Sequence, residues 1–188
     1  MGKFGGADRR GTGTRATRNR ESGASLVEIM IVVAILGIML VILSNSYQVW
    51  SERYRVENEV KEFYADLMDA RARAMQKSRA HFVAFSGTGT EYSRYAVYED
   101  TNTGPDGNGV LDNTLDARIR DIQPRYRFVT APAGTDELRV NRDGTLELDG
   151  ATIRVPPPGM FQADYDCIAL SRTRIKMGRY NGADCVER

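Results

Sequence analysis

Residues 25–44 read SLVEIMIVVAILGIMLVILS, and this stretch decides the fold. From Ile29 to Leu43, fifteen consecutive residues lack a polar side chain. Leu26 and Val27 extend the run to 18 residues, interrupted only by Glu28. That length approaches the ~20 residues a helix needs to cross a bilayer. The rest of the chain has no comparable stretch. Across 188 residues, 41% are hydrophobic, 27% are charged and the mean hydropathy is −0.43, which excludes a polytopic membrane protein and a wholly disordered one.

Working outward toward the N-terminus, residues 1–23 carry six Lys/Arg, two Asp/Glu and six Gly, with almost nothing apolar. Such a segment buries too little surface to offset its ordering entropy, so it reads as disordered and removed. Its basic groups (Lys3, Arg9, Arg10, Arg15, Arg18 and Arg20) hold the near end of the apolar run on the cytoplasmic side. Everything beyond Leu43 then faces the outside of that membrane. A secretory signal peptide cut after Ser44-Asn45-Ser46, or a plain signal anchor, would share these features. Glu28 argues against both. A carboxylate inside an apolar span costs roughly 2.5–3.5 kcal/mol at helix centre and less near an end, so it calls for a named partner.

The order Gly23-Ala24-Ser25-Leu26-Val27-Glu28, followed by the apolar run, resembles the class III signal of type IV pilins and type II secretion pseudopilins. The resemblance implies that a prepilin peptidase cuts between Gly23 and Ala24 and methylates Ala24. Ala24 stands where the family usually has an aromatic residue. Glu28 becomes mature residue five, where it would pair with the new amine of a neighbouring subunit. Pairing relieves the desolvation cost of a lone buried carboxylate. Gly37 matches the family's mid-helix glycine, and Asn45 replaces a frequent proline, so less kinking is expected.

The helix should outlast the membrane, because no Pro occurs before Pro105. Val56, Val60, Phe63, Leu67, Ala70 and Ala74 are spaced 4, 3, 4, 3 and 4 apart and form one apolar stripe. Glu57, Glu59, Lys61, Glu62, Asp66, Asp69, Arg71 and Arg73 mark the opposite, solvated face. The expectation is one helix over 25–79, whose outer stripe the C-terminal domain must cover. Short strands follow at 80–85, 91–98, 125–130, 137–140, 145–148, 152–155, 165–170 and 173–177. Asp143-Gly144 and Asp149-Gly150 mark turns. Pro156-Pro157-Pro158-Gly159 ends one run. The fold class expected is therefore α+β and pilin-like: one long N-terminal helix, its first half transmembrane, packed on a C-terminal antiparallel sheet. The boundaries are 1–23 leader, 24–45 transmembrane and assembly half, 46–79 amphipathic half, and 80–188 β-rich domain.

A hairpin straight after the helix, a Gly/Asn-rich loop, the run DGTLEL…ATIRVPPPG and Gly178-Arg179 resemble the GspH/FimT group. That resemblance implies a non-enzymatic subunit. It would be an H-type minor pseudopilin of type II secretion or, alternatively, a minor type IV pilin, including the DNA-binding kind used in natural transformation. The implied partners are the prepilin peptidase, other pilins met through the N-terminal helix, and the bacterial inner membrane. The chain would cross that membrane once, with its C-terminal domain periplasmic or extracellular, and be assembled in a pilus or pseudopilus.

Enzyme classes fare poorly on the residues themselves. One His (His81) and two Cys leave no Cys/His cluster for zinc, and no common phosphate-loop, nucleophile-elbow or metalloprotease motif occurs. No cofactor is expected. A weak calcium candidate lies in the loop holding Asp100, Asn102, Asp106, Asn108 and Asp112. Its spacing misses the EF-hand pattern because Gly104 takes the third ligand position, and Asx turns explain the same composition. Cys167 and Cys185 lie outside the membrane by the charge argument, where a disulfide persists. Arg172, Arg174 and Lys176 alternate along an expected strand and, with Arg179, form a weak DNA candidate. A second Arg in the expected tail pattern is absent, Asp164, Asp166, Asp184 and Glu187 lie nearby, and no nucleic-acid partner is expected.

Overall fold

Apolar residues at helical spacing and the lack of proline carry a helix, α1, from Leu26 to Lys77. The computed structural model describes residues 25–88, 90–104, 107–157 and 162–188. Glu28 sits in the first turn and Lys77 in the last, each complementing the helix dipole at its end. The helix stops two residues before position 79 because Ser78 adopts a left-handed backbone (φ 53°) and Arg79 N–H returns to the Ala74 carbonyl.

The chain divides into two units, Met1–Ile42 and Leu43–Arg188. In the first, every described residue from 25 to 42 is exposed. In the second, the outer part of α1 packs on a sheet of nine antiparallel strands. These are β1 (His81–Thr88), β2 (Glu91–Glu99), β3 (Ala117–Ile122), β4 (Phe128–Ala131), β5 (Glu137–Val140), β6 (Ala151–Arg154), β7 (Cys167–Leu170), β8 (Ile175–Tyr180) and β9 (Cys185–Glu187). Their order is β5-β1-β2-β4-β6-β7-β8-β9, with β3 also paired to β2. Strand β2 is long enough to serve two partners: its first residues, Glu91 and Tyr92, meet β4, and Tyr95 to Glu99 meet β3.

The helical stripe does what its spacing demands. Val56, Val60, Phe63, Leu67, Ala70 and Ala74 are all buried, against Val83, Phe85, Tyr95, Phe128, Leu138, Ile153 and Ile168 of the sheet. Phe63 is the hub. Its ring lies 4.9 Å from Tyr95 edge-on, 5.0 Å from Phe128 and 5.7 Å from Phe85. A second cluster (Phe82, Ala96 and Tyr98, with Leu111) uses the alternate residues of β1 and β2, hence the other sheet face. The β1–β2 hairpin bulges at Ser86/Gly87, where a Cβ on Gly87 would lie 2.1 Å from the Glu91 carbonyl oxygen, so only glycine fits.

The strand expectations need four corrections. Residues 145–148 form no strand: Asp143-Gly144 closes a tight turn, and only Leu146 bridges back to Val140. Strand β3 lies in what reads as loop, because its sequence ARIRDI is charged and mostly exposed. The short edge strand β9 also has no sequence signature. Finally, β8 begins at Ile175 because Ser171 and Arg174 close a turn through reciprocal backbone hydrogen bonds of 2.8 and 3.2 Å.

Because Phe63 is fully buried among three aromatic rings, Phe63→Ala should cost about 3–5 kcal/mol. Arg73→Ala, which removes only an exposed pair with Asp69, should cost under about 1 kcal/mol. Denaturant unfolding of the detergent-solubilised chain, followed by near-UV circular dichroism, checks both.

Candidate functional site

Glu28 lies on the first turn of α1 and is followed by fifteen residues without a polar side chain. Among the described residues no Lys or Arg forms an ion pair with it. The helix is apolar enough to cross a membrane, with a mean hydropathy of 3.1 over its best 18 residues. It is the one such helix among the described residues. Gly23 and Ala24, the expected cleavage site, lie outside the described residues.

The loop after β2 shows what its acidic residues do. The buried Asp100 carboxylate accepts from the backbone N–H of Asn108 (3.0 Å) and Gly109 (2.6 Å). Gly107 is required there, since its φ is +77° and a Cβ would lie 2.1 Å from that carboxyl carbon. Asn102 donates its backbone N–H to Asp116 (3.1 Å), which also accepts from Thr101 and Asp112. Asn108 and Asp112 make Asx turns to Val110 and Thr114. Hydrogen bonds from Thr114 hold the Asp112 carboxyl below its usual range. Asp106 lies outside the described residues. These carboxylates serve backbone donors, and among the described residues no group of three or more His, Cys, Asp or Glu is arranged to hold a metal. His81 is fully buried in β1, where burial lowers its pKa, and Nδ1 lies 3.3 Å from the Arg79 carbonyl.

Cys167 of β7 and Cys185 of β9 are disulfide-bonded, with Cα atoms 5.9 Å apart. The bond ties the final strand back across β8. The four basic candidates do not share a strand face. Arg172 and Arg174 occupy the β7–β8 turn, exposed, while Lys176 and Arg179 lie on β8 with opposite orientations because their separation is odd. Lys176 pairs with Glu187, and Arg179 donates to Gln162.

A different set of groups, missed in the sequence, fixes the helix to the sheet. Asp66 is buried and accepts from Tyr95 Oη (2.8 Å) and from Arg120 of β3. Burial and that carboxylate raise the Tyr95 pKa far above the usual phenol range. Glu59 accepts the Arg125 N–H (2.9 Å), Glu57 accepts the Asp164 N–H (3.1 Å), and Glu52 accepts from Tyr126. The Tyr126 hydrogen bond lowers the Glu52 pKa, whereas burial raises that of Glu59. The face read as solvated thus docks the loops around 125 and 164. The available signal was Asp66 itself, three residues from Phe63 and hence at the edge of the apolar stripe.

Among the described residues, this arrangement gathers no nucleophile and acid–base pair around one cleft. It combines an acid-bearing apolar helix with a sheet domain held on that helix's outer part. The prokaryotic N-terminal methylation motif matches residues 18–44, which contain Glu28 and the apolar run. The match covers that N-terminal stretch alone and leaves the sheet domain outside it. Among solved structures, the type IV minor pilin FimU of Pseudomonas aeruginosa (strain PAO1) is similar at 17% identity and a TM-score of 0.48, over 69% of this chain and 95% of that one. No curated protein matches the chain.

Scattered as they are, with two of them engaged, Arg172, Arg174, Lys176 and Arg179 offer at most four phosphate contacts between them. In a mobility-shift titration at 0.15 M salt, the chain in detergent should bind duplex DNA no more tightly than about 1 μM, the ordinary non-specific range. Submicromolar affinity, lost on changing Arg172, Arg174 and Lys176 to Ala, would contradict this.

Proposed function

We propose that the chain is a non-enzymatic structural subunit, a minor type IV pilin, held in the inner membrane and built into a filament through its N-terminal helix. The reading rests on one observation: an acidic residue, Glu28, stands within the methylation motif on a helix whose apolar side chains are exposed from 26 to 42. The H-type pseudopilin of type II secretion is the other filament subunit that such a motif would serve.

The mechanism follows from solvation. In the bilayer, the apolar surface of residues 26–43 is covered by lipid; in a filament, it would be covered by the same segment of neighbouring subunits. Transfer between the two leaves the apolar area buried, so the hydrophobic effect scarcely distinguishes them. The polar groups must then decide where subunits stop. Cleavage after Gly23 by a prepilin peptidase would create a cationic amine at Ala24, and Glu28 of an adjacent subunit would receive it. In a low-dielectric bundle that contact is the directional one, and it sets the axial stagger. Before cleavage, position 24 carries only a neutral amide, so processing would license assembly. The outer domain, outside the membrane by the charge of residues 1–23, would present its loops and its disulfide-tied edge at the filament surface.

The expected mature N-terminus is Ala24, N-methylated. Intact mass and N-terminal sequencing of membrane-extracted protein check it. A chain starting at Tyr47 would mark an ordinary signal peptide and remove the basis of this reading.

A further inference from the structure

Three aromatic residues just beyond the apolar run take no part in the core. Tyr47, Trp50 and Tyr54 are separated by three and four residues and so share one helix face. They are 67%, 62% and 53% exposed. Their rings form a ladder: Tyr47 to Trp50 at 6.3 Å, and Trp50 to Tyr54 at 5.9 Å with planes 9° apart. The neighbouring residues of this segment behave differently. Val56 is buried in the core, and Glu52 is taken up by Tyr126 and Arg55. The aromatic face is therefore not left over from packing the sheet domain.

Length identifies what covers it. Residues 26–43 span about 27 Å at 1.5 Å per residue, against a hydrocarbon core of ~30 Å. The shortfall of about two residues is met by positions 44 and 45. The outer boundary then falls near Asn45. Tyr47 lies about 3 Å beyond it, Trp50 about 7–8 Å beyond it and Tyr54 about 13 Å beyond it. Tyr47 and Trp50 thus fall in the headgroup layer and Tyr54 at its outer edge, where rings with an apolar body and a polar edge are favoured. Arg53, exposed between Trp50 and Tyr54, adds a cation whose long side chain can extend toward the lipid phosphates.

We infer that Tyr47, Trp50 and Tyr54 form an interfacial anchor, which docks in the lipid headgroup layer and fixes the depth of the helix before the subunit enters a filament. The inference rests on the membrane reading of residues 26–43. Extraction into a filament would then have to strip this face from lipid as well as the apolar span.

Trp50 is the only tryptophan in the chain, so its fluorescence reports on this face directly. The probe is the full-length chain in phosphatidylethanolamine/phosphatidylglycerol vesicles, with bromine placed either near the glycerol end or at the end of the acyl chain. Flotation with the vesicles is scored first. The expected result is flotation, blue-shifted Trp50 emission, stronger quenching by glycerol-end than by chain-end bromine, partial access to iodide, and no change on diluting the protein in lipid. Failure to float would overturn the membrane reading and this inference together. Flotation with Trp50 fully open to iodide and untouched by bromine would overturn the anchor alone. So would lipid quenching that disappears as the protein is concentrated, because the face would then be covered by another copy of the chain.

Discussion

One helix has to place its apolar surface in two different surroundings. Along residues 26–42 apolar side chains point in every direction and all are exposed, so no described residue covers them. Along residues 56–74 they narrow to a single stripe, and the chain supplies its own cover through a nine-stranded sheet. Apolar area drives both halves, but only the second is solved within one molecule. On the proposed reading, a bilayer or neighbouring subunits would cover the first.

The carboxylates of α1 turn that division into a defined geometry. Asp66 reaches Tyr95 and Arg120, and Glu52, Glu57 and Glu59 accept donors from the loops around 126 and 164. Apolar packing alone tolerates sliding along a stripe, whereas these hydrogen bonds specify one register. Glu28 is the counterpart at the other end of the helix. It has no ion-pair partner among the described residues, and on the proposed reading assembly would supply one.

Sequence reasoning reached the helix and its stripe because the 3–4 spacing from Val56 to Ala74 admits little else. It reached most strands because Val, Ile, Phe and Tyr cluster between Asp-Gly turns. Strand β3 stayed hidden because ARIRDI has no buried alternation; it forms because Tyr95 to Glu99 of β2 need a partner and Arg120 has Asp66 to reach. Strand β9 is three residues long and owes its place to pairing with β8 and to the Cys167–Cys185 bond. The segment at 145–148 has strand composition, yet the turn beside it leaves room for a single bridge. Alternation misled at Arg172, Arg174 and Lys176, since a turn interrupts it. Glu28 stands out in the sequence because an acid in an apolar run is costly, whereas the docking role of Glu57 and Glu59 depends on loops distant in sequence.

The central claim is that Glu28 serves assembly rather than insertion. Changing it to Leu makes the span more apolar, so insertion should not suffer. The direct measurement compares Glu28→Leu with the unaltered chain in washed membranes and in sheared filaments, by quantitative immunoblotting from the same cells. The account predicts equal amounts in membranes and a loss of the variant from filaments. Normal incorporation of the variant into filaments would contradict it.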